Sequence, residues 1–422
     1  MPRSSPTPAL DFLVSRERFL PLKADAIFRE VIRSPSLSAE QRRQFRLFLQ
    51  MVRARFHFEF LEQVQQLKQL YDPFDPDRDT RLLRQWTPAE REQAFCELRC
   101  RCRDLLLSGN YVQLSREQLL ACMESRNRFG LAIRVNLDDY EVLDVYYRGV
   151  REGVYPYRNW STCFRQRTAP VRVFSRVAIL VRHKPGGRRK QPKADVVLVK
   201  LFKDVALEDL KMTSPEVRVQ MKLLDKIKVG GTVAGGLAAP IARLLTAAMV
   251  SPILLLAVVG GCTVAFFKGL FSFLTSKTKY MQRLSSNLYH KSLANNASAL
   301  ALLVDAAEAE ETKELLLAYH ILLSEPDGNF TIQQLDARVE KWLKDRFGLP
   351  EVDFEVDDAV RKLIEKGLIE VRDEPRADGT TDRLLKACDL ATALERLDRW
   401  WDDCFSPASS ADAQLAGECS RS

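Results

Sequence analysis

The chain has 422 residues, 46% of them hydrophobic and 28% charged, a length that suggests two or three domains and a composition that excludes a disordered chain. The formal charge of +8 conceals an asymmetry, because residues 151–228 carry 19 Lys/Arg against 7 Asp/Glu while residues 301–422 carry 15 against 28, so the net value says little about nucleic acid. Nine scattered cysteines and a proline-broken Met1–Pro6 opening argue against a disulfide-framed secreted domain and for a reducing compartment.

Residues 1–128 read as helices. Ser38 followed by Gln41 is a capping-box pattern, and Phe45, Leu47, Phe48, Met51, Val52, Phe56, Phe60 and Leu61 recur behind it at helical spacing. Pro73, Pro76 and a run of aspartates end that helix; a second covers 88–108 and a third starts near Ser115. The period then shortens to about two residues. Leu131, Ile133, Val135 and Leu137 alternate, and Val142–Tyr147, Val171–Val181 and Val196–Phe202 are strand-like. A small antiparallel sheet of about four strands is expected to pack on the helices. Lys277 to Leu323 reads as helix and breaks at Pro326-Asp327-Gly328-Asn329. Helix 332–347, helix 356–366, a hairpin turning at Asp378-Gly379 and a helix to Phe405 follow, which is a winged-helix-like outline. The Ser/Ala-rich tail is expected to be disordered.

Between Val229 and Leu274 the only charges are Arg243 and Lys268. A spanning helix needs roughly 20 apolar residues, so the stretch has room for two, with Ser251-Pro252 as the turn. Lysines flank it on both sides, and a hairpin would return both flanks to one face. Gly231, Gly235 and Ala239 form a small-residue face suited to close helix packing. Arg243 is expected at the interface or in a polar cavity.

Cys96, Cys100 and Cys102 are the best metal-like cluster, with Arg99, Arg101 and Arg103 beside them, but no second ligand pair accompanies them. Asp75, Asp77 and Asp79 resemble half a calcium loop, yet Thr80 and Trp86 occupy the positions that should be Gly and Glu. The Gly230–Gly236 run lacks the lysine of a phosphate loop, and His57, His183, His290 and His320 are dispersed. Asp305, Glu308, Glu311 and Glu314 recur every third residue and read as a solvated face, or as a partner for the basic 151–228 region. The acidic start of the 356–366 helix disfavours DNA.

Several strings in this order resemble a family of uncharacterised membrane proteins carrying the domain of unknown function DUF3754. They are Arg16–Leu22, Tyr146–Gly149, Val199–Val205 with Glu208–Leu210, Leu293–Asn296, Asp305–Leu316, Val352–Val356 and Asp398–Asp402. Ala206 departs from the proline expected there. The resemblance implies a membrane protein with a pair of apolar segments and no established activity, and it carries over no catalytic residue.

The resulting expectation is an α+β chain. It divides into an N-terminal helical region (1–128), a small antiparallel β-sheet region packing on it (129–228), a two-helix transmembrane hairpin (229–274), a helical segment (275–330), a winged-helix-like domain (331–405) and a tail (406–422). The function expected is that of an integral membrane, membrane-anchored interaction or assembly protein with both large parts on one side. An oligomeric channel or transporter component, or a membrane-bound enzyme with a thiol site at Cys96–Cys102, is the alternative. No catalytic, cofactor-binding or metal-binding residue is assigned. The expected partners are a lipid bilayer, with anionic headgroups near residues 151–228, a second copy of the chain and an unidentified protein; nucleic acid is disfavoured. The expected location is a bacterial inner membrane or a mitochondrial membrane, as a multi-pass protein.

Overall fold

The computed structural model describes residues 17–35, 37–81, 83–124, 132–134, 137–157, 167–184, 195–213, 218–220, 275, 282, 286, 289–325, 330–349, 352–375 and 381–403. After a short α1 (Ala24–Ile32), Ser38 opens the long α2 (Ala39–Tyr71): its hydroxyl accepts from the Gln41 N–H, and the Gln41 side chain accepts from the Ser38 N–H. That exchange satisfies two donors the first helical turn would otherwise leave unpaired. Asp72-Pro73-Phe74 tightens into a 3-10 turn and ends the helix. The next helix, α3 (Pro88–Ser108), repeats the device with Thr87 and Glu90 and stops at Gly109. A short α4 (Arg116–Glu124) follows.

Among the described residues there are nine strands: β1 (Val112–Gln113), β2 (Ala132–Arg134), β3 (Tyr140–Tyr157), β4 (Arg167–His183), β5 (Val197–Ala206), β6 (Arg218–Gln220), β7 (Ser292–Asn295), β8 (Ile369–Pro375) and β9 (Thr381–Ala387). The main sheet is antiparallel, ordered β1-β3-β4-β5-β7, and β2–β6 and β8–β9 are separate two-stranded pairs. Alternation along β3, β4 and β5 sends side chains to two faces. Tyr146, Ala178, Leu180, Val199 and Leu201 join the principal core, while Tyr147, Phe174, Val177, Ile179 and Phe202 form a second, smaller core with Leu119, Leu207 and Leu210.

The axis of the principal core is α5 (Asn296–Ser324), on which α1, α2 and α3 pack together with α6 (Ile332–Phe347) and α7 (Val356–Glu365). Tyr319 of α5 stacks on Phe48 at 4.4 Å between ring centres. The last helix, α8 (Leu390–Asp403), lies on α2 and sets Trp400 edge-on against Phe56.

Three expectations need correction. The 277–323 segment is not helical throughout, because Ser292–Asn295 adds the fifth strand of the main sheet beside β5. The acidic positions of α5 are only in part a solvated face: Asp305 is exposed and Glu308 half-buried, but Glu311 and Glu314 are buried. The transmembrane hairpin expected over 229–274 lies outside the described residues, and among those described no helix is long and apolar enough to cross a membrane. The helices with the necessary length, α2, α3 and α5, carry charges along their middles: Arg53, Arg55 and Glu59 in the first, Glu97, Arg99 and Arg101 in the second, and Glu310, Glu311, Lys313 and Glu314 in the third. The integral-membrane reading is corrected accordingly. With it go the bilayer partner, the multi-pass location, the channel and membrane-enzyme alternatives, and the self-association built on the Gly231, Gly235 and Ala239 face.

Candidate functional site

The middle of α5 runs Glu310-Glu311-Thr312-Lys313-Glu314, and none of the five side chains is more than 7% exposed. Burying a charge costs several kcal/mol unless it is paired and hydrogen-bonded, so each of these groups requires a partner.

The partners come from four separate parts of the chain. Lys313 Nζ donates to Glu310 Oε1 at 2.6 Å and to the backbone carbonyls of Leu20 at 2.9 Å and Leu22 at 3.3 Å. The Leu20 N–H donates back to Glu310 Oε2 at 3.4 Å. One turn of α5 thus reads both backbone groups of Leu20. Arg148 of β3 lies 3.9 Å from Glu310, donates to the Gly109 carbonyl at 2.9 Å, and sits between the rings of Phe19 and Tyr111, 4.2 and 4.6 Å from their centres. Among the described residues its Nε finds no hydrogen-bond partner. On the α7 side, Lys362 closes on both Glu311 and Asp358.

The N-terminal segment is fastened along its length. The Glu17 carboxylate accepts from the N–H groups of Val150 at 2.6 Å and of Gly149 and Phe19 at 3.3 Å. Gly149 has φ +73°, and a Cβ there would stand 2.8 Å from Ser175 Cβ, so the strand can present its N–H here only as glycine. The Glu17 carbonyl accepts from the Asp353 N–H at 2.9 Å, and Arg18 pairs with Glu355 at 2.5 Å. Residues 17–22 therefore bind the sheet, α5 and the entry to α7 at once.

Glu314 differs from its neighbours. Its carboxyl accepts from Asn110 Nδ2 at 2.6 Å, and Asn110, held at φ 59°, also donates to the Arg18 carbonyl. Burial, reinforced by the charges of Glu310 and Glu311, holds the Glu314 carboxyl well above the usual carboxylate range, against the opposing pull of Lys362 and the Asn110 hydrogen bond. Burial likewise raises Glu310 and lowers Lys313, each opposed by the other's charge. A carboxyl that keeps its proton better in the fold than in the unfolded chain favours folding at low pH and loses that advantage as pH rises. Glu314→Gln mimics the protonated form and can still accept from Asn110. It is expected to keep stability within about 1 kcal/mol of wild type near pH 5 and to flatten the decline toward higher pH. Urea midpoints across that range check it; an unchanged slope would assign the decline elsewhere.

The other sequence candidates do not converge on this node. Asp75, Asp77 and Asp79 line a polar cleft of about 320 Å³ with Lys68, Arg78 and the Asn295–Ser298 start of α5. Three of the loop's carboxylates have protein partners: Asp75 accepts from the Asp77 N–H, Asp77 from Asn296 Nδ2 at 2.5 Å, and Asp72 pairs with Arg78. Among the described residues no group of three or more His, Cys, Asp or Glu is placed to hold a metal ion. His57 meets Glu308 at 3.2 Å, far in sequence from His320, which is buried in α5 between the edges of Phe45 and Trp342. Cys102 is buried and its thiol is pushed up to about 12, whereas Cys96 is exposed and Cys100 half-buried. Arg243 and Gly230–Gly236 lie outside the described residues.

Spacing alone does not show the node, because its partners are about 290 residues apart in sequence. One local signal does point to it. Leu300–Val304 before the charged run and Leu315–Leu323 after it are apolar on nearly every side, the mark of an enclosed helix.

Residues 174–298, spanning β4 to the first turn of α5, match the model of a family described as a protein of unknown function, DUF3754. No solved structure matches the chain.

Proposed function

We propose that this protein works as a conformational latch, in which the buried charges of α5 hold the Glu17–Leu22 segment as a releasable clasp between the sheet and the C-terminal helices. The observation that carries this reading is the clasp's geometry: Glu310 and Lys313 engage the N–H and C=O of one residue, Leu20, inside an apolar core. Well-packed apolar side chains in their place would often be neutral or stabilising by a few kcal/mol. Charges at these positions serve position rather than stability, because they specify which segment docks and in what register.

The test separates these two roles. In the full chain carrying Glu310→Leu and Lys313→Met together, thermal stability is expected to hold or rise while the amides of Phe19, Leu20 and Leu22 exchange with solvent at least about tenfold faster, since the segment loses the groups that seat it. Exchange at the wild-type rate in a stable double variant would show that packing alone seats the segment, and the latch reading would fail.

A further inference from the structure

The geometry points to a two-thiolate site on α3, formed by Cys96 and Cys100, for a soft thiophilic ion of the Cu(I) class. The two residues are four apart and share one face of the helix, with Cys96 exposed and Cys100 half-buried. Cys102, the third member of the sequence cluster, is turned into the core and takes no part.

Cβ atoms four residues apart on a helix stand about 5–6 Å from each other. A disulfide requires about 3.5–4.5 Å, so the helix keeps this pair from closing on itself. A bridging ion has the length that a disulfide lacks. On the scale of a zinc–thiolate bond, about 2.3 Å, two collinear thiolate–metal bonds place the sulfurs about 4.6 Å apart, within reach of side chains at that spacing. Thiolates favour soft ions, Cu(I) above all.

The surroundings of Cys100 hold one charge of each sign. Arg103 Nη2 lies 3.7 Å from Cys100 Sγ, and Asp104 Oδ2 lies 3.8 Å from the same sulfur and accepts from its thiol. Arg99 on this side of the helix is held by Asp144 at 2.6 and 2.9 Å. Binding takes one Cu(I) and two thiols, releases two protons, and leaves a bis-thiolate complex of net charge −1 with no change of oxidation state. Arg103, which also pairs with Asp104 at 3.3 Å, lies against the sulfur and offsets the new negative charge in part, while Asp104 gives up the Cys100 thiol and keeps Arg103.

Cu(I), kept reduced by ascorbate under anaerobic conditions, is titrated into the full-length protein and into Cys96→Ala, Cys100→Ala and the double variant, with a chromophoric Cu(I) chelator as competitor. Alanine is the best helix former, so circular dichroism should be unchanged. Each single variant is expected to hold one ion fewer than wild type, and the double variant no fewer than either single. Equal stoichiometry in all four, or losses that add between the two singles, would overturn a shared site. An independent reading comes from wild type alone: one equivalent of Cu(I) should protect Cys96 and Cys100 together from maleimide, as read by peptide mass. Labelling of either thiol at the ion-free rate would equally overturn it.

Discussion

Lys313→Met alone is expected to cost about 3–5 kcal/mol, as a large drop in the urea midpoint of the full-length protein. The methionine fills the space of the lysine stem, so the loss is electrostatic rather than a cavity. Glu310 would keep Arg148 at 3.9 Å but lose its 2.6 Å partner, and the carbonyls of Leu20 and Leu22 would lose the ammonium that they share. Adding Glu310→Leu removes the orphaned carboxylate, so the double variant should return to wild-type stability or above even though it carries more changes. A single-variant loss below about 1 kcal/mol would place the pair among solvated ion pairs, which are worth that little.

Acidification below neutrality is expected to remove up to about 3 kcal/mol of stability through His320 alone. Burial between Phe45 and Trp342, with Arg346 adding like charge, lowers its imidazole from 6.5 to about 4. Between those values the unfolded chain takes up a proton that the fold refuses, so stability is lost as pH falls from about 6.5 toward about 4, at about 1.4 kcal/mol per unit of depression. Glu310 and Glu314, whose carboxyls are raised, act in the opposite sense over part of this range. The measurement is therefore a difference between wild type and His320→Gln, each unfolded in urea from about pH 7 to about pH 4. The gap between the two curves should change by about 3 kcal/mol across this range. Parallel curves would mean that the imidazole is protonated without penalty in the fold.

Local chemistry accounts for what was legible in the sequence. Ser38 with Gln41 is a short-range exchange between neighbours, and it starts α2 where the pattern places it. The second helix falls at 88–108 for the same kind of reason, with Thr87, Pro88 and Glu90 fixing its start and Gly109 its end. β7 was not legible: four residues that end on the N-cap Asn295 carry no alternation, and their pairing with β5 is decided by a strand about 90 positions away. The α5 charges misled for a related reason. A recurrence of three residues places acidic groups near one side of a helix, but whether that side meets water depends on Leu20, Asn110, Arg148 and Lys362. Periodicity sees one segment at a time, and this node has no single segment.

The clasp also has a kinetic consequence. The contacts from Leu20 to Glu310 and Lys313 close loops of 290 and 293 residues. At roughly 5–20 residues per second the ribosome needs on the order of 15–60 s to deliver α5 after the N-terminal segment has emerged. Closing so long a loop costs about 5 kcal/mol in chain entropy, which only the assembled sheet and helices lower by bringing the ends near each other. A segment made well before α5 is thus among the last to settle. Throughout synthesis Phe19 and Leu20 stand without the residues that later enclose them, and this interval is when a nascent chain of this protein is most open to chaperones and to wrong pairings.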